Sequence, residues 1–185
     1  SISHNICEDG NDDLIAVTAD SGTGQPTLSA VVLGNIVKTT DAGGIKIAGA
    51  DGFTIQSNTV ENTYTAAIHA LTDTTYNLQR SDRGVIVGNY VKNGGKCFGA
   101  GRSHASRSTA ANGIRLNSNA ADCIIADNIV IGSEDRAINV TDATNGITIS
   151  GNRVNGANGS GIDVGSVADT TFGKVINFVC VNNDI

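Results

Sequence analysis

The feature that most restricts the fold of this chain is an octad that keeps returning with one asparagine in it. It reads ITISGNRV at 147–154, CIIADNIV at 123–130, GVIVGNYV at 84–91, FTIQSNTV at 53–60, AVVLGNIV at 30–37 and FVCVNNDI at 178–185; a truncated SISHNIC opens the chain. The conserved position is held by Asn5, Asn35, Asn58, Asn89, Asn128, Asn152 and Asn183. Before and after it, apolar residues fall two apart, which marks short strands with one buried face. A second motif follows each Asn: LIAV, GIKI, AIHA, GIRL, AINV and GIDV, carrying Ile15, Ile45, Ile68, Ile114, Ile138 and Ile162. The Asn-to-Ile distance is 10 residues in five of these six units and 25 in the fourth. The basic repeat is therefore 23–24 residues, with insertions at two fixed places.

A unit this short cannot bury its own apolar face, so it must stack on its neighbours. Strands stacked at constant register form parallel ladders. A leucine-rich repeat has a similar period, but its Leu-rich consensus and helical half-repeat are absent. Aromatic residues are only 4% of the chain, so Ile, Val, Leu and Ala must fill the core. The expected fold is all-β: one solenoid domain over 1–185, about seven coils long. At about 4.8 Å per coil the rod is roughly 34 Å. The recurring Asn is read as an architectural ladder: its amide bonds the turns above and below, and Asn tolerates a left-handed bend.

The pattern GIxI…xITIxxNxI resembles the right-handed parallel β-helix, or pectin-lyase-like, superfamily over nearly the whole chain. The resemblance implies that GIxI is the first strand of each coil. The octad is then the second strand, a sharp turn at Asn and the start of the third strand. Both chain ends fall in mid-coil without a cap, and the chain contains no Met. A fragment of a longer chain is expected, its open edges continued by further chain or by partners.

In the GIxI motif the two apolar residues point inward, so the residue between them points outward. That column is Ala16, Lys46, His69, Arg115, Asn139 and Asp163. A polar column suits a merely solvated face. Two further features favour a binding face. The insertions Ala70–Arg83 and Lys92–Ala111 flank the strands carrying His69 and Arg115, and long loops on a rigid scaffold usually carry function. The charge is also uneven: residues 80–115 carry +6, the remainder −12, in a chain of net charge −6. Arg80, Arg83, Arg102, Arg107 and the titratable His104 lie in this basic window. An acidic chain with one basic patch points to a locally held anionic partner rather than to nucleic acid.

Members of the resembled superfamily often bind or cleave acidic polysaccharides along the first-strand groove. Many of its lyases remove the proton beside a uronate carboxylate, using a Lys or Arg as base, and neutralise the charge with cations or Ca²⁺. By this resemblance Lys46, His69 and Arg115 are the candidate catalytic residues that supply base and charge clamp; Asp163, at the end of the same column, is a catalytic candidate for the hydrolytic alternative. Arg80, Arg83, Arg102, His104, Arg107 and Asn139 are candidate substrate contacts. No Asp/Glu cluster on this face matches the Ca²⁺ site of the classical pectate lyases, so no metal or other cofactor is expected. Two alternatives stay open. One is a carboxylate-pair glycoside hydrolase built on Asp163, Asp142, Glu134 and Asp135. The other is a non-catalytic adhesive rod, favoured by the scarcity of rings for sugar stacking.

The repeat style and low aromatic content also resemble phage tailspikes, which are usually trimers. The expected setting is therefore extracellular or virion-borne, with an acidic polysaccharide as partner. The outward second-strand residues Val31, Leu33, Val85, Val87, Val179 and Val181 are apolar and need cover, either from the loops folding back onto them or from other subunits, and the second would suit a trimer. No run of about 18 apolar residues exists, so membrane insertion is not expected. The four cysteines, Cys7, Cys97, Cys123 and Cys180, lack zinc-site spacing and are read as structural or loop residues.

Overall fold

Apolar alternation with period two becomes three faces of parallel strands. The computed structural model describes residues 1–19, 25–72, 79–96, 111–141, 144–165 and 176–185. Among them, all regular structure is β. The first-strand sheet has six members: Ile15–Thr18, Ile45–Ala48, Ile68–Leu71, Ile114–Asn117, Ile138–Val140 and Ile162–Val164. The second-strand sheet has seven: Ile2–Ser3, Val31–Leu33, Thr54–Gln56, Val85–Val87, Ile124–Ala126, Asn145–Ser150 and Ile176–Val181. The third has six: Ile6–Gly10, Ile36–Thr40, Thr59–Thr63, Tyr90–Lys92, Ile129–Ile131 and Arg153–Asn155. Every neighbouring pair runs parallel and follows chain order, coil upon coil. A short fourth ladder pairs Thr27–Leu28 with Ala50–Asp51 and continues through Asp82, Ala121 and Asn145. It marks the corner that leads into the second strand. The molecule is a parallel β-helix, with the right-handed crossover that parallel strands adopt.

The inward residues form unbroken rows. Ile45, Ile68, Ile114 and Ile138 lie in register on the first sheet and Ile55, Ile86, Ile125 and Ile149 on the second. Val37, Val60, Val91 and Val130 line the third. All are fully buried, and each contributes about 1.5–3 kcal/mol relative to exposure. At Gly44 and Gly113, the residue before the first-strand Ile has no room for a side chain, because the third-strand Val leans against it. A Cβ on Gly113 would lie 2.4 Å from Val130 Cγ1 and 2.5 Å from the Ala137 carbonyl oxygen. That contact explains the Gly at position 113.

The Asn ladder is continuous. Asn58 shows the pattern: its Oδ1 accepts the Asn35 backbone N–H at 2.8 Å and Asn35 Nδ2 at 2.9 Å. Its own Nδ2 donates to Val32 O, Gln56 O and Asn89 Oδ1, each at 3.0 Å. The same linkage joins Asn5 to Asn35, Asn89 to Asn128, Asn128 to Asn152 and Asn152 to Asn183. In one respect the turn differs from the sequence expectation. The left-handed residue is the one before each ladder Asn: His4, Gly34, Ser57, Gly88, Asp127, Gly151 and Asn182 all have positive φ. The preceding residue makes the bend, and the Asn supplies the hydrogen bonds that a sharp buried corner would otherwise lack.

Candidate functional site

On the first sheet the outward residues fall into one column. Ala16 pairs with Lys46, Lys46 with His69, His69 with Arg115, Arg115 with Asn139 and Asn139 with Asp163. Successive members are therefore one strand spacing apart, about 4.8 Å. The column is more enclosed than a solvated face. Lys46, His69, Arg115 and Asp163 are half-buried, and Asn139 is 1% exposed.

A diagonal rule accounts for most of the column. The residue two before the first-strand Ile in one coil reaches the outward residue of the next coil. Asp13 Oδ2 lies 3.2 Å from Lys46 Nζ, while Asp13 Oδ1 accepts the Gly43 N–H at 2.8 Å. Asn112 Oδ1 accepts Asn139 Nδ2 at 3.5 Å. Arg136 Nε pairs with Asp163 Oδ2, and the same guanidinium reaches Asp135. The equivalent positions ahead of His69 and Arg115 are Gly43 and Ala66, which bring no polar side chain. From this corner Lys46 and Asp163 each meet an opposite charge, and Asn139 meets an amide. Asp13, Asn112 and Arg136 were missed from the sequence. Their common offset of two residues before the repeating Ile is the signal that finds them.

His69 is the chemically distinctive member. Its Nε2 lies 2.7 Å from Asn117 Oδ1, at the end of the next first strand. Asn117 is 8% exposed. Burial lowers the His69 pKa from 6.5 to about 4, and the Arg115 and Lys46 cations push in the same direction. The Asn117 contact and Asp13 oppose them without prevailing. At neutral pH the chain therefore holds an uncharged imidazole between two cations.

Arg80 and Arg83 sit on the corner ladder rather than on the column. Arg80 Nε lies 3.3 Å from Asp82 Oδ1 and donates to Asn119 O at 2.9 Å. Arg83 Nη2 pairs with Asp51 Oδ2, so a carboxylate from the preceding coil joins Asp82 in opposing the basic window. Burial raises the Asp82 pKa, with Asp51 and Asp122 close by adding to the rise. Arg102, His104 and Arg107 lie outside the described residues, as do Asp142 and Cys97. Of the first insertion, Ala70 and Leu71 extend the first strand and Gln79–Arg83 rejoin the corner, while 73–78 lie outside the described residues. Cys7, Cys123 and Cys180 are free thiols, and burial pushes Cys123 up to about 12, which makes it inert. Among the described residues no group of three His, Cys, Asp or Glu side chains is placed to hold a metal ion.

No protein-family model matches the sequence, and no curated protein matches it. Among solved structures the chain is similar to the periplasmic alginate epimerase AlgG, with a TM-score of 0.61 at 12% sequence identity. The match covers 97% of this chain and 39% of that protein. The chain thus spans well under half of the neighbour's length. At this identity the likeness carries the fold alone: a right-handed parallel β-helix.

Proposed function

We propose that the first-strand face binds an acidic polysaccharide and removes the proton beside a uronate carboxylate. The observation that carries this reading is the neutral His69 held between Arg115 and Lys46 in adjacent coils. Arg115 and Lys46 take the substrate carboxylate and the negative charge that develops on it as the proton leaves. His69 accepts that proton. Substrate binding also primes the base. The carboxylate neutralises the two cations that depress His69, so its proton affinity rises when the substrate is in place.

Two outcomes follow from one carbanion. If the neighbouring carbon–oxygen bond breaks, its electron pair leaves with the glycosidic oxygen and an unsaturated sugar end forms. If a proton returns to the opposite face, the sugar is inverted without chain cleavage. The fold shared with an alginate epimerase supports polyuronates as the substrate class and keeps inversion beside elimination. Hydrolysis by two carboxylates is less well supported, because Asp163 and Asp135 are both engaged by Arg136.

The reading extends to setting and assembly. We take the chain as one domain of a longer exported protein, and the neighbour's periplasmic setting supports export. Exposed Ile124, Val179 and Val181 on the second sheet support side-by-side association, as in a trimer. The deciding experiment incubates the protein with alginate and with polygalacturonate. Ultraviolet absorbance from unsaturated ends that is lost in Arg115→Ala supports elimination. Altered uronate stereochemistry in the proton spectrum supports inversion. New reducing ends without absorbance, or binding without any product, would overturn proton removal.

A further inference from the structure

This inference rests on the proposed proton removal and concerns which atom of His69 performs it. An imidazole has two nitrogens, and a neutral ring carries its proton on one of them. The partner of one nitrogen decides which nitrogen is free. Here the partner is Asn117, the last residue of the strand Ile114–Asn117, whose Oδ1 sits 2.7 Å from His69 Nε2. A carbonyl oxygen only accepts, so this contact requires a proton on Nε2. The lone pair then resides on Nδ1. Asn117 is itself nearly buried, and its strand is fixed by pairing at Ile114, Arg115, Leu116 and Asn117 with the strand that carries His69. The contact is therefore held by the sheet and not by a mobile loop.

We infer that Asn117 is a positioning residue: it locks His69 as the Nε2–H tautomer and makes Nδ1 the nitrogen that receives the substrate proton. Asn in place of Asp is part of the device. A carboxylate there would favour the imidazolium, whereas a neutral amide orients the ring without charging it. The charged groups around the ring are Arg115 and Lys46 from the flanking coils and Asp13 beyond Lys46. Asn117 is the neutral member of that set.

The test reads the tautomer directly. In ¹⁵N–¹H correlation spectra of the ¹⁵N-labelled protein at neutral pH, His69 should show a pyrrole-like Nε2 and a pyridine-like Nδ1, without averaging. A proton on Nδ1 would overturn the inference. Asn117→Asp is nearly isosteric and keeps the fold testable; it should move the His69 titration midpoint upward by about one unit or more. An unmoved midpoint would mean that Asn117 does not contact the ring. On alginate, Asn117→Leu should lower kcat by roughly tenfold or more with KM retained. An unchanged kcat alongside the expected tautomer would sink the use of His69 as base and leave the tautomer assignment standing.

Discussion

Two stacked columns of polar residues run up this rod, and they differ in kind. The ladder of Asn35, Asn58, Asn89, Asn128 and Asn152 repeats one residue and satisfies itself: each amide's partners are the turn backbone and the next amide. The first-strand column repeats nothing. It runs Lys46, His69, Arg115, Asn139, Asp163; Lys46, Asn139 and Asp163 are met by a diagonal neighbour and His69 by Asn117. In a repeat protein, a residue that recurs in every coil reports what every coil needs. A residue that changes at a fixed outward position reports what only one coil does.

The comparison is broken most forcefully on the ladder. Asn89→Ala removes the acceptor of the Asn58 N–H and Asn58 Nδ2, both buried. Unfolding in urea should show a loss of roughly 2–4 kcal/mol. The same measurement on Lys46→Ala should show a loss of about 1 kcal/mol or less, because its partner Asp13 is reached at a partly exposed surface. Equal losses would erase the distinction between the two columns.

The next effect concerns the ligand. Asp13→Asn keeps an oxygen for the Gly43 N–H but releases Lys46 from its ion pair. Affinity for alginate, read by calorimetry, should rise severalfold and become more salt-sensitive. A fall in affinity would mean that Asp13 positions Lys46 rather than competing for it. A smaller effect lies in acid. Folded His69 titrates near 4 against 6.5 in the unfolded chain, so the unfolded state binds the extra proton. Its contribution to stability is complete above pH 6.5 and is lost as pH falls from about 6.5 to about 4. His69→Gln should flatten the stability profile in that window. The smallest effect is at the corner: Arg83→Ala breaks an exposed pair and should alter stability by about 0.5 kcal/mol or less.

Most of the fold was legible in the sequence, because one physical demand recurs in every coil. The inward Ile and Val rows, the Asn ladder and the outward column follow from an Asn-to-Ile offset of 10 residues that five of the six units keep. The left-handed residue was assigned to the wrong neighbour because Gly, Ser, His, Asp and Asn share that position and hide it. The site was legible only in part. The column gave Lys46, His69 and Arg115, but Asp13, Asn117 and Arg136 act across coils. Period-two alternation says nothing about diagonal reach, and Asn117 resembles any strand-ending Asn until the register brings it to His69.

The most direct test of the central claim is the His69 titration by NMR, with and without alginate. The chain has three histidines, so His69→Gln assigns the resonance. The proposed function predicts a midpoint near 4 in the free protein and a clear upward shift when the polyuronate is bound. A midpoint near 6.5 that alginate leaves unmoved would contradict it.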